Sequence, residues 1–400
     1  MRALRVAVSG GGVGGLALAQ GLRRHGIEAT VFESDDSALS REQGFRLRID
    51  EFGRAALAAC LPDRLYRLTE DTASRLYMPR GVSFDHRLRQ IGAHRPAGTP
   101  VDRAAASIVV DRRCLRQILL TGLGGTVRFG RKVTGYRQTD DGVLVDFTGG
   151  TATADVLVIA DGINSLARRQ RLPQAEVLDT GLHGVHGFMA LDSEALGWIP
   201  PELLGGARPV LGPRRTTLVL GAYQPRRPFA EAVAAHAPGA DIEAVHDYVK
   251  WTLVAPAGEF PATGAGLFAA DPLALHTVAA RMTEDWHPLL RRVIERSQRA
   301  ATFALAIRAV PVPDAWPPGR VTVLGDCVHA PTPVGGTGAN TALCDAALLA
   351  ERLADASAGR LDLIDAIGRY EEEMRAYARS AVTSSLRGAE IVFRADPLPV

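Results

Sequence analysis

The stretch Leu4-Arg5-Val6-Ala7-Val8-Ser9-Gly10-Gly11-Gly12-Val13-Gly14-Gly15-Leu16 decides how the rest of the chain is read. Apolar residues alternate at Leu4, Val6 and Val8, the period of a strand, and Leu16, Ala19 and Leu22 then recur at helical spacing until Gly26 closes the run. The segment from Ala29 to Glu33 reads as a second strand. Strand, glycine turn, helix and strand in that order open a Rossmann-like nucleotide-binding fold. Within Gly10-x-Gly12-x-x-Gly15, Gly10 permits the tight turn, Gly12 lets a pyrophosphate approach the backbone, and Gly15 permits close packing of helix on strand. Glu33 stands 18 residues beyond Gly15, where an acid is expected to accept hydrogen bonds from an adenosine ribose. This signature alone does not separate NAD from FAD.

Working outward, the 400 residues are 46% apolar and 22% charged, enough for a large core and a main domain with a smaller one. The 46 basic and 44 acidic side chains are scattered, so no basic block is available to neutralise a nucleic-acid backbone. Only two lysines occur, Lys132 and Lys250. No run is apolar enough to span a bilayer, and the N-terminus enters a strand without a leader-like pattern, so the cytoplasm is the expected location and no membrane partner is expected. Cys60, Cys114, Cys327 and Cys344 lack metal-site or disulfide-framework spacing and are expected to be reduced, with no metal bound.

Further strands are expected at Gly142 to Phe147, Ala154 to Ala160 and Val321 to Leu324. Between about Thr180 and Arg299, strand-like runs such as Thr216 to Leu220 and Tyr248 to Leu253 are punctuated by Pro and Gly and read as a sheet inserted in the nucleotide-binding part. Helical periodicity returns at Pro288 to Arg296, Asn340 to Leu353 and Leu361 to Ser385.

Two segments add to the fingerprint: Asp155 to Arg168, containing Asp161-Gly162, and Gly325-Asp326-Cys327-Val328-His329-Ala330-Pro331-Thr332-Pro333-Val334-Gly335-Gly336-Thr337-Gly338-Ala339-Asn340. In this order the three resemble the FAD-dependent class A aromatic hydroxylases, the p-hydroxybenzoate hydroxylase-like flavoprotein monooxygenases. The resemblance covers nearly the whole chain, weakly in the middle. It implies an α/β fold: a Rossmann-like FAD-binding domain (1–72, 101–178 and 301–360), an inserted sheet-based substrate domain (73–100 and 179–300) and a C-terminal helical segment (361–400).

The resemblance also implies cofactor contacts: Gly10, Gly12, Gly15 and Glu33; Arg41 of Arg41-Glu42-Gln43-Gly44; Arg112 of Val110-Asp111-Arg112; Asp161 and Gly162; and Gly325, Asp326, Pro333, Gly336, Gly338, Ala339 and Asn340. Asp326 would bond the ribityl chain, and backbone N–H groups after Gly336 would face the ring edge on which charge builds. Non-covalent FAD, transient NAD(P)H, O2 and a small aromatic or polyketide-like substrate are the implied partners, with oxygen carried as a flavin C4a-hydroperoxide, in a monomer or homodimer. A cyclase or Baeyer-Villiger enzyme in which FAD may serve only structurally is the alternative. A halogenase is disfavoured, since Gly197-Trp198-Ile199-Pro200 matches only part of its motif and no lysine lies near the fingerprint helix.

The chain departs from the family where Arg46 replaces a small residue, and a guanidinium there could hold a phenolate, carboxylate or enol oxygen. His183 and His186 share a strand at odd separation, so at most one faces the pocket; His186 and Tyr223 are its candidate wall residues with Arg46. No general base is evident, as expected if catalysis rests on positioning.

Overall fold

The computed structural model describes residues 4–40, 46–76, 81–94, 106–261 and 265–398. Five parallel strands form the first sheet, in the order Val321–Val323, Val156–Ile159, Arg5–Ser9, Glu28–Phe32 and Val127–Arg128. Val8 pairs with both Val158 and Val31, and all three are fully buried, as strands covered on both faces require. The fingerprint helix Val13–Arg24 packs on the helix Gly338–Ser357. Their approach needs small residues: a Cβ on Gly21 would lie 2.9 Å from that of Ala350, and one on Gly14 would lie 2.6 Å from Leu324 Cδ2. A three-stranded antiparallel sheet, Val133–Gln138, Val143–Phe147 and Gly150–Ala154, flanks this layer.

The second large sheet has seven strands, ordered Phe303–Ala309, Leu178–Ala190, Tyr248–Pro256, Thr217–Tyr223, Arg208–Leu211, Gly81–Asp85 and Gln90–His94. One face is apolar and covered: Val185, Met189, Leu218, Leu220, Val249, Trp251 and Leu253 pack with Leu275, Leu290 and Val293 of the helices Pro272–Met282 and Pro288–Glu295. Strand alternation sends His186, Phe188, Tyr248, Lys250, Thr252 and Gly221 to the other face. Phe303–Ala309 pairs with Leu178–Ala190, so a boundary at residue 301 cuts this sheet from its own edge strand. Sheet membership moves that boundary past Ala309.

Several elements are longer than the sequence pattern suggests. The strand expected to stop at Leu253 runs to Pro256, and the C-terminal helix spans Leu363–Val392 rather than ending near Ser385. This helix is capped by Asp362, which accepts from Ile364 N and Asp365 N. It crosses both layers. Tyr370 OH donates to Val323 O (2.8 Å), Ser385 Oγ accepts from Thr332 N (3.0 Å), and Ala389 packs with Leu182, Val254 and Ile307.

Cys60, Cys114 and Cys327 are buried and Cys344 is partly so, all as free thiols. Among the described residues no helix is long and apolar enough to cross a membrane, and no cluster of three or more metal-ligating side chains occurs.

Candidate cofactor and substrate site

Arg5–Ser9, Val156–Ile159 and Val321–Val323 are neighbouring parallel strands. The three sequence segments that follow them therefore emerge side by side at one edge, the carboxyl ends where open α/β sheets bind ligands. Contact between the segments is direct. Gly10, at φ 105°, packs so closely on Ala160 and Asp161 that a Cβ would fall 2.5 Å from Ala160 O. A Cβ on Gly15 would lie 2.1 Å from Gly10 O. Gly12 is the opposite case: nothing lies within 4 Å of the position its Cβ would take, at the start of a helix with no side-chain cap. Arg112, Arg113 and Arg116 line the same hollow with Ala38 and Leu39. Open space, uncapped N–H groups and guanidinium groups are what a pyrophosphate needs.

Glu33 is 2% exposed, and its carboxylate is engaged by the chain itself. Oε2 accepts from Gly11 N (2.6 Å), and Oε1 from Asp35 N (2.8 Å) and Ser34 Oγ (3.0 Å). Arg116 ties this corner together: it donates to Gly11 O (3.2 Å) and Ala38 O (3.0 Å) and lies 3.0 Å from Asp35 Oδ2. The sequence reading missed Arg116, although it falls one helical turn beyond Arg112. Arg41 lies outside the described residues.

On the second segment, Asp161 Oδ2 accepts from Ser9 Oγ (3.1 Å), and Gly162 adopts φ 79° with open space beyond it. On the third, Asp326 keeps an exposed surface although protein surrounds it. Burial raises its carboxyl above the usual range, opposed by the charges of His329 and Arg112. Its Oδ1 would lie 3.4 Å from a Cβ on Gly338, so the carboxylate sits beside the start of the helix Gly338–Ser357. Thr337 provides no side-chain cap there, and Gly335 and Gly336 precede it at φ 84° and 62°. Pro333 is exposed and Ala339 half-buried in the same loop.

Asn340 faces its own chain. Its amide donates to Arg48 O (2.9 Å) and Gly336 O (2.7 Å) while Oδ1 accepts from Asp50 N (2.9 Å), and Gly53 leaves it room. Arg48, also missed, donates to Gly335 O (2.8 Å) from the strand Arg46–Ile49. Asn340→Ala is expected to lower stability by about 1–3 kcal/mol through stranded backbone groups. Thermal release of the bound cofactor, followed by its fluorescence, measures the loss.

Beneath the loop lies a buried cluster: His329, whose place in the third motif suggests that it orders the loop, meets partners that motif reading did not foresee. Asp345 Oδ2 accepts from Gly325 N (2.8 Å) and meets His329 Nε2 at 2.6 Å, and Tyr377 OH donates to Oδ1. Burial alone would lower the His329 pKa; the Asp345 carboxylate overcomes it and holds the ring above its ordinary range. His329 thus orders Gly325 and the loop after it.

Across the cleft, His186 and His183 take opposite faces of their strand. His183 meets Phe268 edge-on under the sheet (4.8 Å), whereas His186 stacks on Phe303 (4.9 Å, 6°) and its Nδ1 lies 3.0 Å from Thr252 Oγ1. Burial and the nearby Lys250 charge hold His186 well below its ordinary pKa, so it is neutral. Tyr223 is fully buried, donates to Thr72 O (2.6 Å) and stacks on Tyr248 (5.3 Å). Arg46 crosses over Gly221 to donate to Gly206 O (2.7 Å). Lys250 stands opposite Gly221 in register, and a cation in a strand whose neighbours Val249 and Trp251 are buried was the sequence signal for it.

A family model described as FAD binding domain matches residues 277–385, which include the whole third segment. A 3-amino-4-hydroxybenzoate 2-monooxygenase of Streptomyces platensis is 30% identical over 92% of this chain and 83% of its own length. The chain belongs to the class A FAD-dependent monooxygenases. A solved structure from Photorhabdus luminescens, assigned as an FAD-containing monooxygenase, superposes on this class A monooxygenase with a TM-score of 0.83 at 30% identity, covering 98% of this chain and 99% of that one. A dual O-methyltransferase/FAD-dependent monooxygenase of Cercospora beticola is 31% identical over 97% of this chain, which spans only 46% of that protein. The chain thus spans less than half the length of the first such curated relatives. The architecture is the p-hydroxybenzoate hydroxylase-like fold of the family, and the cofactor is FAD.

Proposed function

We propose that the protein hydroxylates a small aromatic or polyketide-like substrate, with NAD(P)H as reductant and O2 as oxidant. One observation supports the reading most: the charge of Arg112 acts both on Asp326, which sits beside the uncapped start of Gly338–Ser357, and on Lys250 of the polar face of the seven-stranded sheet. The residues present fit FAD. Gly12, Arg112 and Arg113 would take the pyrophosphate, Glu33 with Arg116 would shape the adenosine end, and Asp161, Gly162 and Asp326 would meet the central part of the molecule. Asn340 and Arg48 would hold the loop without touching it. When bound, FAD supplies the electron acceptor and the place where O2 is activated.

The chain's own task is then positioning and exclusion of water. The stacked His186 and Phe303, with Phe188 beside Tyr248 (6.0 Å), offer an aromatic surface for a planar ligand. Tyr223 buttresses this surface through its stack on Tyr248, with its hydroxyl spent on Thr72 O. Helix-start dipoles at Gly338 would favour charge gained by the cofactor on reduction.

The test is anaerobic mixing of the yellow holoprotein with NADH or NADPH, then admission of O2 with an aromatic panel. Bleaching of the flavin and a product heavier by one oxygen atom are expected. Product formed without any change in flavin colour would reverse the reading in favour of a non-redox cyclase.

A further inference from the structure

The segment that follows the long helix Leu363–Val392 is fastened to a hairpin of the seven-stranded sheet. Arg215, between the strands Arg208–Leu211 and Thr217–Tyr223, donates to Arg394 O (2.7 Å) and pairs with Asp396 (2.9 Å). Arg394 returns two bonds, to Gly212 O (3.0 Å) and Thr216 O (2.8 Å), and Thr217 Oγ1 donates to Val392 O (3.0 Å). Four non-glycine residues take a positive φ among the described residues, and three of them, Arg214 (49°), Arg215 (56°) and Arg394 (54°), belong to this clasp. A left-handed backbone is unfavourable for a long side chain, so the reciprocal bonds, rather than local preference, hold this shape.

The clasp lays apolar side chains on the cleft face of the sheet. One row of partners crosses that face: Phe303, His186, Thr252 and Val219. Its first two members form the aromatic surface described above, and its last already packs with Phe393 and Val392. Val254, two residues beyond Thr252 on the same face, lies under Phe393 in the same cluster. The glycine-rich loop before Gly338 joins it through Val334, which packs so closely on the long helix that a Cβ on Gly388 would fall 2.6 Å from its Cγ1. Phe393 is 4% exposed, whereas Val219, Val334 and Val392 are half-buried. The exposed edge of the cluster is therefore shared by sheet, loop and clasp.

We propose that the clasped turn from Phe393 to Asp396 is the end wall of the substrate cleft and fixes how long a planar ligand the cleft admits. This rests on the hydroxylase reading and names a specificity determinant of that site. A fused ring system laid on Phe303 and His186 and extended along their row meets Val219 and then Phe393. While the clasp is closed, Phe393 is held on Val254, and a longer ligand must force a packed side chain out of place. When the clasp is released, the turn can swing away and the cleft lengthens.

The experiment has two arms, both on the oxidised FAD-loaded protein. In the first, hydrogen exchange is followed in the peptide that carries Phe393 and Ala395, whose N–H groups donate to Ala389 O (2.9 and 3.2 Å). Arg215→Ala is expected to exchange there about tenfold or more faster than the wild type. Arg214→Ala should match the wild type, because that side chain lies 3.6 Å from Glu259 and takes no part in the clasp bonds. In the second arm, calorimetry gives the affinity for phenol, 2-naphthol and 2-anthrol. In the wild type the affinity should rise with ring number and then fall at the member that reaches the wall. Arg215→Ala and Phe393→Ala should each tighten that member by about tenfold or more, equivalent to about 1.4 kcal/mol, and leave phenol unchanged. Arg215→Ala carries the test alone if loss of the buried Phe393 ring prevents folding. Unchanged exchange in Arg215→Ala, wild-type affinity that rises through all three rings, the same affinity ratios in every protein, or no binding of any member would each overturn the wall. Neither arm uses reductant or oxygen, and the first needs no ligand, so failure here is distinct from failure of the hydroxylase assignment.

Discussion

The Gly15→Ala protein is expected to purify colourless. Its single added methyl would lie 2.1 Å from the carbonyl oxygen of Gly10, a backbone atom with no soft direction in which to yield. Gly10 is itself fixed by its N–H bond to Phe32 O (2.8 Å) and by contact with Ala160 and Asp161. The helix must therefore move off the strand, and the Gly12 corner moves with it. The FAD-to-protein absorbance ratio after gel filtration measures the effect, with a fall of about tenfold or more expected, as for about 1.4 kcal/mol of lost binding. A protein that stays yellow at wild-type stoichiometry would contradict the close packing of turn on helix. Gly12→Ala is the informative partner: its methyl would enter open space. It should fold normally and lose FAD by occlusion alone.

Removing Asp345 is the second large effect. Asp345→Ala leaves His329, the Gly325 N–H and the Tyr377 hydroxyl without their shared acceptor in a fully buried place. Breaking a buried pair by deleting one partner costs about 3–5 kcal/mol. The sign of the pH dependence follows from the direction of the His329 shift. Its pKa is raised in the folded protein, so its stabilising contribution is complete below the ordinary histidine value and is lost as pH rises through the folded value. The melting temperature of the wild type should therefore fall, relative to Asp345→Asn, as pH increases from 6 to 9. In Asp345→Asn the ring loses its principal counter-charge while burial still opposes protonation, and the dependence should flatten. Parallel curves for the two proteins would show that His329 does not carry the charge assigned to it.

These two residues mark how far the sequence could be read. Gly15 is legible because its constraint is local: strand, turn and helix lie within one continuous stretch, and only glycine satisfies the contact. The same holds for Gly10 and for the loop glycines Gly335 and Gly336 with positive φ. Asp345 lies 20 residues beyond Gly325 and meets it only because the following helix folds back over the strand end. Nothing in the spacing of the third segment announces that contact. Asn340 shows a subtler limit. Its position in the motif was legible, but its bonds to Arg48 and Asp50, some 290 residues away, make it a clamp on the loop. Arg46 and Lys250 become neighbours only through the pairing of Tyr248–Pro256 with Thr217–Tyr223. Register between strands joined by long connections is set by the packed faces, and a single sequence carries little of it.

The helix Leu363–Val392 has a mechanical consequence. Its 30 residues measure roughly 45 Å. Along it Tyr370 holds a strand end of the parallel sheet, Tyr377 holds Asp345, Ser385 holds Thr332 of the glycine-rich loop, and Ala389 rests on the edge of the other sheet. Four parts of the cleft are thus spaced by one rigid ruler whose graduations are helical turns. The gap between the glycine-rich loop and the seven-stranded sheet is consequently set by residue count along this helix. Loops at the rim can then change in length while the spacing between the two sheets stays the same.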